Sequence, residues 1–243
     1  MDWTLNRCTL TGADDTTDID ALWEAGSAFP IVEWGILYSL TQRGTGRYPS
    51  EAWLQRLVER IKASGASPNF ALHVCGRSVS DLIRGVGPVV DIARNFGRIQ
   101  VNFRSENYEV EAIREMVRRH AGQTVITQYN DANLDLWRAL QKEPNHAVLF
   151  DASGGRGVAR SEWPAPLPGV ACGYAGGLGP DNIAEAAVAI QHAAGATPYW
   201  VDMEGKLRTA EDRFDMNLAR DVLKRLDQTL CAGTAMCSGR HTH

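Results

Sequence analysis

A chain of 243 residues with 44% hydrophobic content is long enough to bury one substantial core. Its 25 basic and 29 acidic residues, net charge -4, are mixed along the sequence with no basic block, which argues against a phosphate backbone as ligand, so no nucleic-acid partner is expected. No apolar run approaches the roughly 18 to 20 residues that cross a bilayer, and the start MDWTLNRCTLTGADD lacks the basic and apolar regions of a signal peptide. No membrane partner and a cytoplasmic location are therefore expected.

In chain order, short apolar runs recur eight times: NRCTLTG, PIVEWGILYSL, NFALHVCG, RIQVNFRS, TVITQYND, HAVLFDASGG, GVACGYAGG and PYWVDMEG. Most precede a segment of helical period. EAWLQRLVERIKASG puts Trp53, Leu54, Leu57, Val58 and Ile61 on one stripe, with Gly65 as its stop. EVEAIREMVRRHAG, DNIAEAAVAIQHAAG and DRFDMNLARDVLKRL repeat the pattern, and Asp181 or Asn182 is placed to cap the third of these segments. Eight βα units at even intervals without a linker predict an α/β fold, a single (β/α)8 barrel of the TIM type over residues 1–227; the alternative is an open doubly wound sheet. TLCAGTAMCSGRHTH, small and polar, reads as a loosely ordered tail over 228–243. The five cysteines, Cys8, Cys75, Cys172, Cys231 and Cys237, form no C-x-x-C pair and are expected to be free thiols.

In such a barrel the chemistry belongs at the C-terminal strand ends, where this sequence carries Cys8, Glu33, His73, Asn102, Gln128, Asp151 and Asp202. A carboxylate ending an apolar strand, as Asp151 does in LFDASGGRGVARSEW, is partly desolvated and suited to general acid work. Trp163 is placed either as an anchor over that loop or in the core. Gly176 and Gly177, ahead of a helix, present backbone N–H groups to a phosphate or else make a tight turn; Arg156, Lys206 and Arg208 would add positive charge around an anionic substrate.

Three strand ends resemble the phosphoribosylanthranilate isomerase family of tryptophan biosynthesis. LFDASGGRGVARSEW is similar to its sixth strand, an aspartate followed by a Gly-Gly-x-Gly loop and a tryptophan; YAGGLGPDNIAEAA is similar to its seventh, Ala-Gly-Gly-Leu, then Pro, an acidic residue and Asn. NRCTLTGADDTTDIDAL resembles the first strand, with Cys8 on the catalytic cysteine and Thr9 where glycine is usual. Gln100 matches the glutamine of a Gln-Leu-His-Gly strand and Arg47 the arginine of a Ser-x-Arg-x-Val loop, while the family's Ser-Gly-Val-Glu element after the eighth strand is replaced by Gly205, Lys206, Leu207 and Arg208. The resemblance implies an aldose–ketose isomerase acting on a phosphorylated sugar amine by an Amadori rearrangement, with Asp151 as acid and Cys8 as base. Cys8 read from the residues alone is equally a small buried hydrophobe. The implied contacts to substrate and phosphate are Arg47, Gln100, Gly154, Gly155, Arg156, Gly176, Gly177, Asp202, Gly205, Lys206 and Arg208, with no cofactor and a monomer or homodimer. Two other readings stay open: a divalent-metal epimerase or aldolase built on Glu33, His73, Asp151 and Asp202, and a barrel that only binds a phosphorylated ligand.

Overall fold

The computed structural model describes residues 2–64, 69–130, 133–151 and 162–238. Eight parallel strands close into one barrel in sequence order: β1 (Leu5–Thr11), β2 (Val32–Tyr38), β3 (Asn69–Val74), β4 (Arg98–Val101), β5 (Thr124–Tyr129), β6 (His146–Phe150), β7 (Ala171–Ala175) and β8 (Tyr199–Met203), which returns to pair with β1. Around them lie α1 (Ile19–Ala28), α2 (Glu51–Ala63), α3 (Arg77–Arg84), α4 (Pro88–Ala93), α5 (Val110–Arg119), α6 (Leu136–Leu140), α7 (Ile183–Ala194) and α8 (Met216–Ser238). The expected (β/α)8 barrel is thus formed. The third connection carries two short helices, and among the described residues the connection from β6 to β7 carries none. No helix among them is long and apolar enough to cross a membrane.

Strand alternation divides the apolar residues between two environments. Outward residues such as Leu10, Trp34, Leu72, Ile99, Tyr174 and Val201 join the helices in the main core. In α2, Trp53, Leu54 and Leu57 are buried while Val58 and Ile61 pack beside them. Its start is capped by Ser50, whose hydroxyl accepts from Trp53 N; its last residue is Ala63, and the expected stop at Gly65 lies outside the described residues. Of the segment 228–243 read as a tail, the part up to Ser238 continues α8, and 239–243 lie outside the described residues. Leu226 is buried and Leu230 packs against the core, and the Thr229 hydroxyl donates to the Arg225 carbonyl, so an apolar contact one turn later outweighs the small-residue composition.

The inward residues at the N-terminal end of the barrel form a charged layer. Arg98 Nη1 donates to Glu33 Oε1 at 3.0 Å, the Thr9 hydroxyl donates to the same oxygen at 2.9 Å, and Arg7 approaches the other oxygen at 3.6 Å. The Arg98 guanidinium lies 4.1 Å from the centre of the Trp200 ring. Above it Ile126, Ala147, Leu149, Ala175 and Trp200 make a small apolar cluster inside the barrel. Gly173 is required there because a Cβ on it would come within 2.0 Å of the Trp200 ring.

Two stability predictions follow from this packing. Gly173→Ala forces the buried indole aside and is expected to cost about 1–3 kcal/mol in thermal or urea unfolding, with α-helical content unchanged. Glu33→Leu leaves Arg98 buried beside only the half-exposed Arg7, and is expected to cost about 3–5 kcal/mol; adding Arg98→Met to it should recover part of that loss. Wild-type stability of the Glu33→Leu single variant would contradict the pairing.

Candidate active site

At the opposite, C-terminal end the interior opens into a cavity of about 290 Å³ lined by His73, Gln100, Asn102, Gln128, Leu149, Asp151, Ala175, Gly176, Gly177, Leu178, Asp202, Met203, Glu204, Gly205 and Lys206. Ten of the residues singled out in the sequence therefore meet in one place: His73, Gln100, Asn102, Gln128, Asp151, Gly176, Gly177, Asp202, Gly205 and Lys206.

Two carboxylates face this cavity from β6 and β8. Asp151, the first residue past β6, is 4% exposed and its Oδ2 accepts from Gln128 Nε2 at 3.0 Å. Asp202 is 6% exposed and its Oδ1 accepts from the Thr11 hydroxyl at 2.8 Å. Burial pushes the Asp202 carboxyl up to about 7; the Thr11 bond opposes the rise, and the charges of Glu204, Glu33 and Asp151 add to it. His73 is equally enclosed. Burial and then the nearby Arg98 charge lower its imidazole to about 3, so it is neutral at physiological pH. Beside it Gln100 Nε2 donates to Asn102 Oδ1 at 3.1 Å, and Asn102 Nδ2 donates to Cys75 Sγ at 3.3 Å.

The loop after β7 is shaped by two glycines in the left-handed region, Gly176 at φ 125° and Gly177 at φ 64°, conformations that residues with a Cβ rarely adopt. Asn182, at the start of α7, holds this loop and leaves its own helix uncapped by a side chain: its Oδ1 accepts from Gly179 N and its Nδ2 donates to Gly177 O, both at 2.9 Å. Among the described residues no group accepts from the N–H of Gly177 or Leu178. Across from this loop Lys206 sits in a single 3-10 turn, Gly205–Leu207, and packs so closely that a Cβ on Gly179 would lie 2.5 Å from the lysine Cβ.

Several expectations are corrected by the geometry. Cys8 is followed by three more strand residues, and Thr9 and Thr11 send their hydroxyls inward to Glu33 and Asp202. Alternation therefore turns Cys8 outward into the core, where it is fully buried and where burial, then Asp202 and Glu33, raise its thiol far above the usual range. Glu33 fails as a strand-end residue for the same reason, since the apolar run continues to Tyr38 and leaves it in the charged layer at the other end. Arg47 and Arg208 do not line the cavity. Arg47 pairs with Glu204 at 2.7 Å and with Asp212 at 3.2 Å, and Arg208, its side chain 2% exposed, pairs with Asp14 at 2.8 Å and with Asp212 while donating to the Gly12 carbonyl. Trp163 packs edge-on to Tyr174 at 6.0 Å on the outer side of the sheet and does not cover the cavity. Gly154, Gly155 and Arg156 lie outside the described residues.

Three contributors escaped the sequence reading. Glu204 follows Asp202 by two, the inward period of a strand, and so was within reach of the pattern. Thr11 follows Thr9 in the same way. The role of Asn182 as a brace for the glycine loop has no such signature, because its residue type and position equally suit a helix cap.

No family model and no curated protein sequence matches the chain. Solved structures do resemble it. TrpF from Jonesia denitrificans is 16% identical with a TM-score of 0.62, over 93% of this chain and 98% of that one. Phosphoribosyl anthranilate isomerase from Thermus thermophilus is 19% identical with a TM-score of 0.63, over 91% and 98%. A phosphoribosyl anthranilate isomerase in complex with reduced 1-(o-carboxyphenylamino)-1-deoxyribulose 5-phosphate is 15% identical with a TM-score of 0.59, over 92% and 100%. The chain therefore has the same fold as these enzymes along nearly its whole length.

Proposed function

We propose that this chain is a phosphoribosylanthranilate isomerase-like enzyme that converts a phosphorylated aminoaldose into the corresponding aminoketose by general acid–base catalysis. The observation that carries this reading is the pairing of two buried carboxylates, Asp151 and Asp202, across one cavity that also holds the N–H groups of the glycine loop and the ammonium of Lys206. The loops after β7 and β8 fit the phosphate, through Gly176, Gly177, Gly205 and Lys206. The likeness in fold to an isomerase whose complex holds a deoxyribulose 5-phosphate derivative agrees with such a ligand. So does the sequence resemblance at Asp151 and Gly176.

The rearrangement needs a proton delivered to the furanose ring oxygen, so that the ring opens to a protonated Schiff base, and a proton removed from C2 to give an enaminol, which tautomerises to the ketose with no net gain or loss of atoms. Asp202 suits the first role because its surroundings keep it protonated up to about pH 7. Asp151, held by Gln128 through a carboxylate oxygen that accepts, suits the second. The pair replaces the Asp151 and Cys8 assignment, since the Cys8 thiol faces the helices. A metal-centred epimerase or aldolase is the weaker reading because its donor set included Glu33, which is committed to Arg98 in the opposite layer, and no three His, Cys, Asp or Glu side chains converge among the described residues. Carboxylates committed to Arg47 and Arg208 leave Lys206 as the cation lining the cavity among the described residues, where it suits the phosphate.

Asp151→Asn and Asp202→Asn, assayed by single-substrate turnover of phosphoribosylanthranilate generated in place and of other N-substituted ribosylamine 5-phosphates, are each expected to lower kcat by about 10²- to 10⁴-fold. Absence of turnover by the unmutated protein on every aminoaldose phosphate would overturn the isomerase reading in favour of a phosphosugar-binding barrel. The pH dependence gives a separate check. Because the folded Asp202 binds its proton more tightly than the unfolded one, it contributes stability that is present below the unfolded value near 4 and is lost as the pH rises toward 7. Melting temperature should therefore fall between pH 4 and pH 7 less steeply in Asp202→Asn than in the wild type, and the wild-type kcat/KM should decline as the pH passes about 7.

A further inference from the structure

The side of the cavity formed by β3 and β4 has no part in the chemistry above, yet it is built of polar groups. His73 and Gln100 are register partners on these neighbouring strands, both line the cavity, and they are 2% and 4% exposed. Each carries a buried polar atom without a hydrogen-bond partner, Nε2 of His73 and Oε1 of Gln100. The Gln100 amide nitrogen is already given to Asn102, and Asn102 is held in turn by Cys75, so the network leaves Gln100 an acceptor to offer. A buried unsatisfied polar atom costs about 1–3 kcal/mol, and two side by side in a barrel interior otherwise suited to apolar layers ask for a ligand group that satisfies them.

The charge of the ligand group is constrained as well. The imidazole is neutral, the amide is neutral, Arg98 lies behind them in its pair with Glu33, and among the described residues the other ionisable groups of the cavity are the carboxyls of Asp151, Asp202 and Glu204, with Lys206 on the far loop. A carboxylate placed against β3 and β4 would meet no cation among the described residues. A hydroxyl, which both donates and accepts, matches an imidazole and an amide carbonyl together.

We propose that His73 and Gln100 form a specificity subsite for a neutral hydroxyl-bearing part of the substrate, so that the ligand is a sugar phosphate whose hydroxylated chain lies against β3 and β4 with its phosphate on the loops after β7 and β8. This rests on the phosphate end assigned under the proposed function. It narrows the substrate class from aminoaldose phosphates in general to those that seat hydroxyls on this wall.

The test uses the full chain and two probes, inorganic phosphate and D-ribulose 5-phosphate, in isothermal titration. The wild type is expected to bind the sugar phosphate at least about 10-fold more tightly than inorganic phosphate; His73→Phe and Gln100→Met should each weaken the sugar phosphate by about 5- to 10-fold while leaving inorganic phosphate unchanged. In wild-type protein, where folding of the variants is not at issue, the imidazole nitrogen resonances of His73 should shift on addition of D-ribulose 5-phosphate and stay in place with inorganic phosphate. Equal affinity for the two probes, or unmoved His73 resonances in the sugar complex, overturns the subsite while leaving the phosphate end intact. Binding of neither probe overturns both. Binding of the sugar phosphate with a shifted His73 but no measurable affinity for inorganic phosphate supports the subsite and counts against the phosphate end.

Discussion

The ion pair between Arg98 and Glu33, sealed inside the barrel, is the interaction on which the rest of the interior depends. It fills the N-terminal end with charge in place of an apolar layer, and burial of two ions is tolerated only because Thr9 and the Trp200 face supply further contacts. Its field also reaches the cavity at the other end. Arg98 is among the causes that keep His73 neutral, and Glu33 is among those that raise Asp202. One structural pair thus helps to set the protonation state of two residues that face the cavity. A chain with leucine at position 33 would lose more than stability.

A second division of charge operates at the rim. Arg47 and Arg208 stand near the loops after β2 and β8, where free arginines would attract anions, but Asp14, Glu204 and Asp212 take up their donors. These pairs tie the β8 loop to the loops after β1 and β2 and leave the cavity with more carboxylate than cation. Among the described residues, an anion entering this cavity would meet the backbone N–H groups of the glycine loop and Lys206, a local attraction that does not extend across the cavity. Two bonds from Asn182 to that loop fix where the anion would be held.

The fold was legible in the sequence because eight apolar runs with intervening helical periods leave few closed arrangements, and the resemblance at Asp151 and Gly176 supplied the direction of the site. What the sequence could not supply was phase within a strand. Cys8 and Glu33 were read as strand ends, yet their strands run on to Thr11 and Tyr38: Cys8 falls out of phase, in the helix-facing core, and Glu33 keeps the inward phase but lies at the far end of the barrel. Arg47 and Arg208 failed for a different reason, since their partners are distant in sequence: Asp212 lies 165 positions from Arg47, and Asp14 lies 194 positions from Arg208. His73, Asn102 and Gln128 were read as strand ends and lie within one residue of the true ends, while Gln100 came from the family resemblance. Their grouping on one wall emerged only with the register.

The same register explains why two aspartates of one cavity differ in surroundings. Asp202 lies within β8, opposite Ala175 of β7 and Thr9 of β1, so it is enclosed by strands on both sides and receives a hydroxyl from Thr11. Asp151 lies just past the end of β6, where the chain leaves the sheet, and its Oδ2 accepts from the side-chain amide of Gln128. The acid embedded in the wall is the one whose carboxyl burial pushes up, to about 7. Two identical side chains thus meet different surroundings through a difference of position along neighbouring strands, without any difference in residue type.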